Sequence, residues 1–393
     1  MKLDMAFINI FQKTHGHQYA DADDNRTVKV QIWDLPLRLF HWSMVAAVSV
    51  AGFTGFVGRP WWLGAHVFAG YSIGILLVFR FAWGVLGSHY STFKSFPLAP
   101  RGALNHVRSL LRRSSRAHTG HNPVGAWMIM ALLFTLLVLV STGMFALGGQ
   151  EGLGPLGFLV DFQTGRRAAD LHEIAAWALF GVVATHLLGV FVEACLLRHP
   201  VLSAMITGNK WISATKARFH RRSYTARGVG LLAVTTVVLL SGGLILASNP
   251  PSGWMLVPAP AAYSAECGSC HHAYHPSLRT EKSWRSMMSN LSEHYGEDAS
   301  LDAETTTAIE TFLAANAAGK FDTEASWRIG RTDTRSLRIT DTAFWKKRHD
   351  GIAERVFKQS SVGSKINCNG CHGDAASGRF ADQNIHFPNG DKK

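Results

Sequence analysis

The stretch "LHEIAAWALFGVVATHLLGV", residues 171–190, is apolar enough and long enough to cross a bilayer, yet it carries two histidines. A crossing takes about 20 helical residues. Ionisable residues inside a span are costly and mark functional positions by default. His172 and His186 are 14 residues apart. That is nearly four turns, so they share a helix face about 21 Å apart along the axis. One apolar helix offering imidazoles at two depths predicts a membrane protein with two sites stacked across the bilayer.

Four further stretches fit the same length rule: 37–57, 66–86, 123–147 and 228–248, with the histidine-bearing span at 172–194. Apolar residues make up 47% of the 393-residue chain and charged residues 17%, a balance that leans toward a membrane protein. Buried helices of a soluble protein would need polar faces that these stretches lack. Asp34 ahead of Pro36 signals the start of the first span, and Asp170 with Glu173 has the form of a capping box before the fourth.

Charge sets the expected orientation. Residues 262–393 hold 17 Lys+Arg and 17 Asp+Glu, so the whole excess of +12 lies in the first 261 residues. Loop 87–121 carries Lys94, Arg101, Arg108, Arg112, Arg113 and Arg116. Loop 195–227 carries Arg198, Lys210, Lys216, Arg218, Arg221, Arg222 and Arg227. Neither holds an acid. The opposite loops have only Arg59, Arg166 and Arg167. Basic loops stay in the cytoplasm, so a bacterial inner-membrane protein with its N-terminus inside and its C-terminus in the periplasm is expected. Trp61, Trp62, Trp83 and Trp254 fall at the expected interfaces. Basic residues set between apolar segments argue against a nucleic-acid partner. No apolar stretch of signal type occurs in the first thirty residues, so the fifth span is expected to export residues 249–393. The expected layout is a cytoplasmic segment 1–34, a four-helix membrane domain 35–227, a fifth span 228–248, a Pro-rich linker 249–263 and an exported domain 264–393.

Four histidines fall in or at the ends of spans: His41, His66, His172 and His186. Alternating span directions put His66 with His172 on the outer side and His41 with His186 on the inner side. A haem iron held between two helices by two imidazoles needs this arrangement. Gly52, Gly55, Gly70, Gly74, Gly181 and Gly189 suit either a porphyrin face or close helix packing. Arg80, fourteen residues after His66, reaches the inner level as a partner for a haem propionate or as a snorkelling anchor.

"WDLPLRLFHWSM" (33–44), "HVFAGY" (66–71), "FRFAWGVLGSHYSTFKSF" (79–96), "HNPVGAWMIM" (121–130), the opening stretch and "AMITGNK" (204–210) resemble the prokaryotic cytochrome b561 family. Its relatives include the b-type cytochrome subunit of Ni/Fe-hydrogenase. The resemblance covers roughly residues 30–215. It implies that His41, His66, His172 and His186 ligate two non-covalent b haems.

The exported part holds "CGSCH", with Cys267, Cys270 and His271, and "CNGCH", with Cys368, Cys371 and His372. C-x-x-C-H is the attachment order of a c-type haem. A zinc site built from the four cysteines is disfavoured by the histidine after each pair, the hundred residues between them and the compartment. The fifth cysteine, Cys195, reads as a small buried thiol. Sixth ligands come from His272, His275, His294, His349, His386, Met287 and Met288. The tail is similar to the small dihaem cytochrome c family over "CGSCHHAYHPSL", "SWRSMMSNLSEHYGEDASLD", "RITDTAFWKKRHD" and "NCNGCHGDAASGRF". That similarity implies bis-histidine haems with His294 and His349 as the further ligands, their assignment left open. His275 stands where the family pattern has proline.

The expected fold class is all-α: a transmembrane bundle of five spans binding two b haems, then a small, mainly α-helical dihaem c-type domain. With no nucleotide fingerprint, P-loop or catalytic triad, the chain is expected to move electrons. Quinol oxidation, with delivery through the b and c haems to a periplasmic c-type cytochrome or another soluble acceptor, is the leading expectation. The alternatives are an anchor in a larger respiratory or photosynthetic complex, reverse flow into quinone, and superoxide scavenging. The partners expected are the lipid bilayer, the quinone pool, and a second copy or a larger complex.

Overall fold

The computed structural model describes residues 27–58, 62–112, 118–213, 224–252, 259–331 and 337–388. Arg59, Trp61, Arg113, Arg116, Lys216, Arg218, Arg221, Arg222 and Trp254 lie outside the described residues, as do most of segment 1–34 and part of the linker.

A strand, β1 (Thr27–Gln31), leads into α1 (Leu35–Phe56) and α2 (Leu63–Leu86). A helix, α3 (Pro100–Leu111), lies in what the sequence reads as a basic loop. Next come α4 (Pro123–Ala146), α5 (Phe162–Phe191), α6 (Val201–Thr207), β2 (Asn209–Ser213) and α7 (Thr225–Ala247). Five of these, α1, α2, α4, α5 and α7, are long and apolar enough to cross a membrane. They leave Phe68, Val85 and Leu244 more than 70% exposed, a surface that suits hydrocarbon and not water. Cys195, expected to be buried, is exposed at the end of the fourth span; surrounding lipid would cover it.

The start of α5 differs from expectation. It begins at Phe162, so Asp170 lies inside the helix and is not its cap. The cap is Asp161, which accepts hydrogen bonds from the Thr164 N–H and Oγ1, both at 2.8 Å. The first three turns of α5 are too polar to register as a span. They are held because Phe162 is buried and because Gly165 packs backbone to backbone on Gly149, where an added Cβ would come within 2.6 Å of the Gly149 Cα.

The chain divides into two compact units. The first contains Met1–Ala51, Ala69–Val140 and Ala175–Leu239. Its core joins Ile32, Trp33, Leu37, Phe79, Trp83 and Ala204, with a second cluster around Met44, Leu77 and Leu133. Asp34 is 6% exposed and ties three segments together. It caps α1 through the Leu37 N–H at 2.8 Å and accepts from Trp83 Nε1, Ser88 Oγ at 2.6 Å and Ser91 Oγ at 2.7 Å. Among the described residues, which are otherwise mainly helical, one antiparallel ribbon forms, in which Thr27–Gln31 pairs with Asn209–Ser213. Gly208, at φ +84°, ends α6 and offers its carbonyl to the Ile32 and Trp33 N–H groups. That left-handed turn favours glycine.

The second unit contains Gly52–Phe68, Ser141–Ile174 and Leu240–Lys393. Among the described residues its tail has six short α-helices: α8 (Ala261–Glu266), α9 (Glu281–Met288), α10 (Ala303–Ala315), α11 (Glu324–Ile329), α12 (Ala343–His349) and α13 (Glu354–Phe357). Thr280, Asp302, Thr323 and Thr342 cap α9 to α12 by accepting from the N–H three residues on. Trp284, Met288, Ile309, Phe312 and Leu313 form a small core between α9 and α10. The tail also packs on residues 147–166 of the same unit. There the Phe162 N–H donates to Asp322 Oδ1 at 2.8 Å, the Asp382 N–H donates to Glu151 Oε2 at 3.0 Å, and the Phe162 and Trp327 rings lie 5.6 Å apart.

Candidate metal-ligating histidine pairs

His66 near the start of α2 and His172 on α5 come together with ring centroids 6.0 Å apart. Each ring is held from behind. His66 Nδ1 lies 3.1 Å from Thr54 Oγ1, and His172 Nδ1 lies 3.1 Å from Thr142 Oγ1. Each threonine is followed by a glycine against the same ring. A Cβ on Gly55 would sit 3.2 Å from His66 Cε1, and one on Gly143 would sit 3.1 Å from His172 Cε1.

The tail repeats the arrangement twice. His271 and His294 have centroids 6.2 Å apart with planes 28° apart. His349 and His372 have centroids 6.1 Å apart with planes 69° apart. Geometry thus pairs the two residues whose assignment the sequence left open. His271 Nδ1 donates to the His272 carbonyl at 2.9 Å, and His349 Nδ1 donates to the Trp345 carbonyl at 2.8 Å. A carbonyl only accepts, so Nδ1 carries the proton and Nε2 keeps its lone pair for a metal. Burial lowers the pKa of His294, with His271 adding to it, and burial lowers that of His349. Burial, helped by His349 and opposed by Asp374, brings His372 down to about 4. Neutral imidazole is the ligating form.

His41 on α1 and His186 on α5 lie within electrostatic reach of each other, and His41 Nδ1 is buried without a hydrogen-bond partner. Arg80 is 2% exposed, donates to the Ser91 carbonyl at 3.2 Å and stands 4.6 Å over the Phe93 ring. These contacts keep its guanidinium buried, where a snorkelling anchor would reach the surface.

Two imidazoles bound in line to one metal, each at about 2 Å with its centroid about 1 Å behind the ligating nitrogen, place centroids roughly 6 Å apart. Three pairs meet that spacing. The glycines divide. A Cβ at Gly52, Gly70, Gly181 or Gly189 would meet no heavy atom within 4 Å, leaving those faces open for a flat ring, whereas Gly74 packs on Val140 at 3.3 Å. Burial pushes the thiols of Cys267 and Cys368 up to about 11 and also raises that of Cys371. His275 takes another role. It is 3% exposed, bonds Ser277 Oγ at 2.8 Å and packs on Phe321.

Residues 32–208 match the family model described as prokaryotic cytochrome b561, and residues 263–380 match the one described as dihaem cytochrome c. The tail belongs to the dihaem cytochrome c family, and the b561 match precedes it in the same chain. The b561 part is 27% identical to the probable Ni/Fe-hydrogenase B-type cytochrome subunit of Cupriavidus necator, over 53% of this chain and 98% of that relative. It is 24% identical to the corresponding hydrogenase 1 subunit of Escherichia coli K12, over 47% and 92%. The dihaem part is 37% identical to a diheme cytochrome c of Rhodobacter sphaeroides, covering 32% of this chain and all of that one, with a TM-score of 0.28. For the diheme cytochrome of Shewanella baltica OS155 the values are 36% identity, 34%, 96% and 0.28. The chain is therefore a multi-pass, haem-binding electron-transfer b-type cytochrome carrying a dihaem cytochrome c domain.

In the b561 part the sequence reading passed over three features. Thr142 and Gly143 support His172, and the repeated Thr-Gly, at 54–55 and 142–143, was the available signal. His121 lies between Trp33 and Phe96, each 4.6 Å away, with Nε2 buried and unpartnered; burial, Arg80 and Lys210 hold its pKa down to about 3. Glu193 gathers His199 at 2.5 Å, Asn122 at 3.0 Å and His106 at 3.5 Å. An acid ending an apolar span is a readable signal for such a cluster.

Proposed function

We propose that the chain carries electrons singly from membrane quinol to its c-type tail and on to a soluble periplasmic acceptor. His41 with His186 and His66 with His172 each hold one b haem. Cys267, Cys270 and His271 with His294, and Cys368, Cys371 and His372 with His349, each hold one c haem. Bound haem supplies reversible one-electron iron chemistry. The spacing of 6.0–6.2 Å in three histidine pairs carries this reading. The chain's own residues do the positioning. Thr54, Thr142 and two backbone carbonyls hold Nδ1 so that Nε2 faces the metal, and Arg80 offers a buried positive charge to a propionate. The basic loops support an N-terminus inside and a tail outside.

The direction comes from the fusion, since a tethered c domain gives the membrane sites an acceptor that never diffuses away. Mixing the full-length protein with a reduced quinol analogue tests it. Rapid reduction of the covalent haems is expected. Their reduction only by a soluble donor, with quinone consumed, would reverse the direction. A second reading, an anchor within a larger complex, is favoured by the near full-length match to proteins named as hydrogenase subunits. Co-purification of a catalytic subunit from native membranes would support it.

A further inference from the structure

We propose that the tail meets the membrane bundle at its second C-x-x-C-H site, so that electrons leaving the His66–His172 pair reach the His349–His372 site first and the His271–His294 site last. This rests on the haem reading above. Order along the chain suggests the reverse, because the first motif comes only about twenty residues after the fifth span and the second more than a hundred.

The contacts decide it. Residues 379–382 lie against the α4–α5 connection. The Asp382 N–H donates to Glu151 Oε2 at 3.0 Å, Arg379 Nη2 donates to the Ser252 carbonyl at 2.8 Å, and the Arg379 guanidinium lies on Gly152. The same segment walls the second site, because the Phe380 ring is 5.2 Å from the His372 ring. Arg348, next to His349, stands within electrostatic reach of Glu151. On the bundle side, Glu151 comes eight residues after the Gly143 that touches the His172 ring. Asp322 and Trp327 extend the seam through Phe162 and Arg166.

The first site looks to the second. Tyr274 Oη donates to the Ile366 carbonyl at 2.9 Å, and Asn369 Nδ2 lies 3.1 Å from His272 Nδ1. The two attachment segments are therefore neighbours, and the docking contacts of residues 379–382 adjoin the second of them through Phe380. In each transfer one electron moves. With haem held at both sites, the group at the His66–His172 pair would be oxidised by one electron as the group at the His349–His372 pair is reduced, with no bond formed or broken.

Two measurements on the full-length, haem-loaded protein test the proposal. The first is hydrogen exchange at single amides. Glu151→Ala should speed exchange at Asp382, and Asp322→Ala at Phe162, each by roughly tenfold or more, with residues 264–297 unchanged. Unprotected Asp382 and Phe162 amides in the parent protein would overturn the docking. The second uses His349→Met to give the second site its own absorption and potential. After a pulse of quinol analogue the marked haem should reduce before the unmarked one, and Glu151→Ala/Asp322→Ala/Arg379→Ala should slow both at unchanged haem content. Earlier reduction of the unmarked haem would overturn the route. A His349→Met spectrum identical to the parent's would overturn the haem reading, and the route with it, while protected amides would still establish the docking.

Discussion

His172 Nδ1 lies 3.1 Å from Thr142 Oγ1, and His66 Nδ1 stands at the same distance from Thr54 Oγ1. In both cases a Thr-Gly step on one helix supports the imidazole of the next. The hydroxyl holds Nδ1 and the glycine leaves space for the ring.

Thr142→Val removes the hydroxyl at nearly constant volume. A ligand that loses such a partner becomes less basic, and metal affinity falls by about 10–100-fold. One non-covalent haem should bind more weakly and show a higher midpoint potential, with the covalent haems unchanged. Redox titration at the b-type absorption band reads both. Identical potentials in parent and variant would remove the threonine from the site.

Acid–acetone extraction should remove half of the total haem from the parent protein. His186→Ala and His172→Ala should each lose one extractable haem and keep both covalent ones. Loss of both extractable haems from either variant would contradict separate sites at two depths.

His275 links tail stability to pH. Burial, with Arg379 adding to it, lowers its pKa from 6.5 to about 4. The unfolded chain therefore binds the proton first as pH falls. The stability contribution is complete above about pH 6.5 and is lost progressively down to about pH 4, to a limit of about 3 kcal/mol. Thermal unfolding of the tail should weaken across that window, and His275→Gln should flatten the dependence. Equal slopes in the two proteins would assign the acid sensitivity elsewhere.

Asp34→Ala should destabilise the first unit by about 3 kcal/mol, combining a lost helix cap with buried Trp83, Ser88 and Ser91 donors left unpaired. Asp34→Asn, which keeps an acceptor, should cost less. Retention of non-covalent haem on heating in detergent gives the ranking, and equal behaviour of the two variants would refute the capping role.

A reporter active only in the periplasm should work when fused after Lys393 and stay silent when inserted beside Arg113. The opposite pattern would invert the bundle.

Apolar length made the five spans legible, and spacing made the histidines legible, because hydrocarbon punishes polar residues strongly enough to leave a one-dimensional trace. The C-x-x-C-H motifs were equally plain, since covalent attachment needs both thiols and the histidine within five residues. The early start of α5 left no such trace. Gln163, Arg166, Arg167 and Asp170 make that stretch polar, and it is helical through the Asp161 cap and the Gly149–Gly165 contact. The partners of His294 and His349 were hidden for a different reason. Two distal residues and two sites allow two assignments, and only three-dimensional proximity chooses between them.

The ribbon between Thr27–Gln31 and Asn209–Ser213 has a consequence for synthesis. Its first strand leaves the ribosome before any span exists, and its second only after four spans have been made. The leading strand must wait, unpaired, while the membrane helices are threaded, and closing the ribbon then ties the first of them to the fourth. Pairing across some 180 residues thus comes late in synthesis: a chain stalled before Asn209 has four spans and no ribbon.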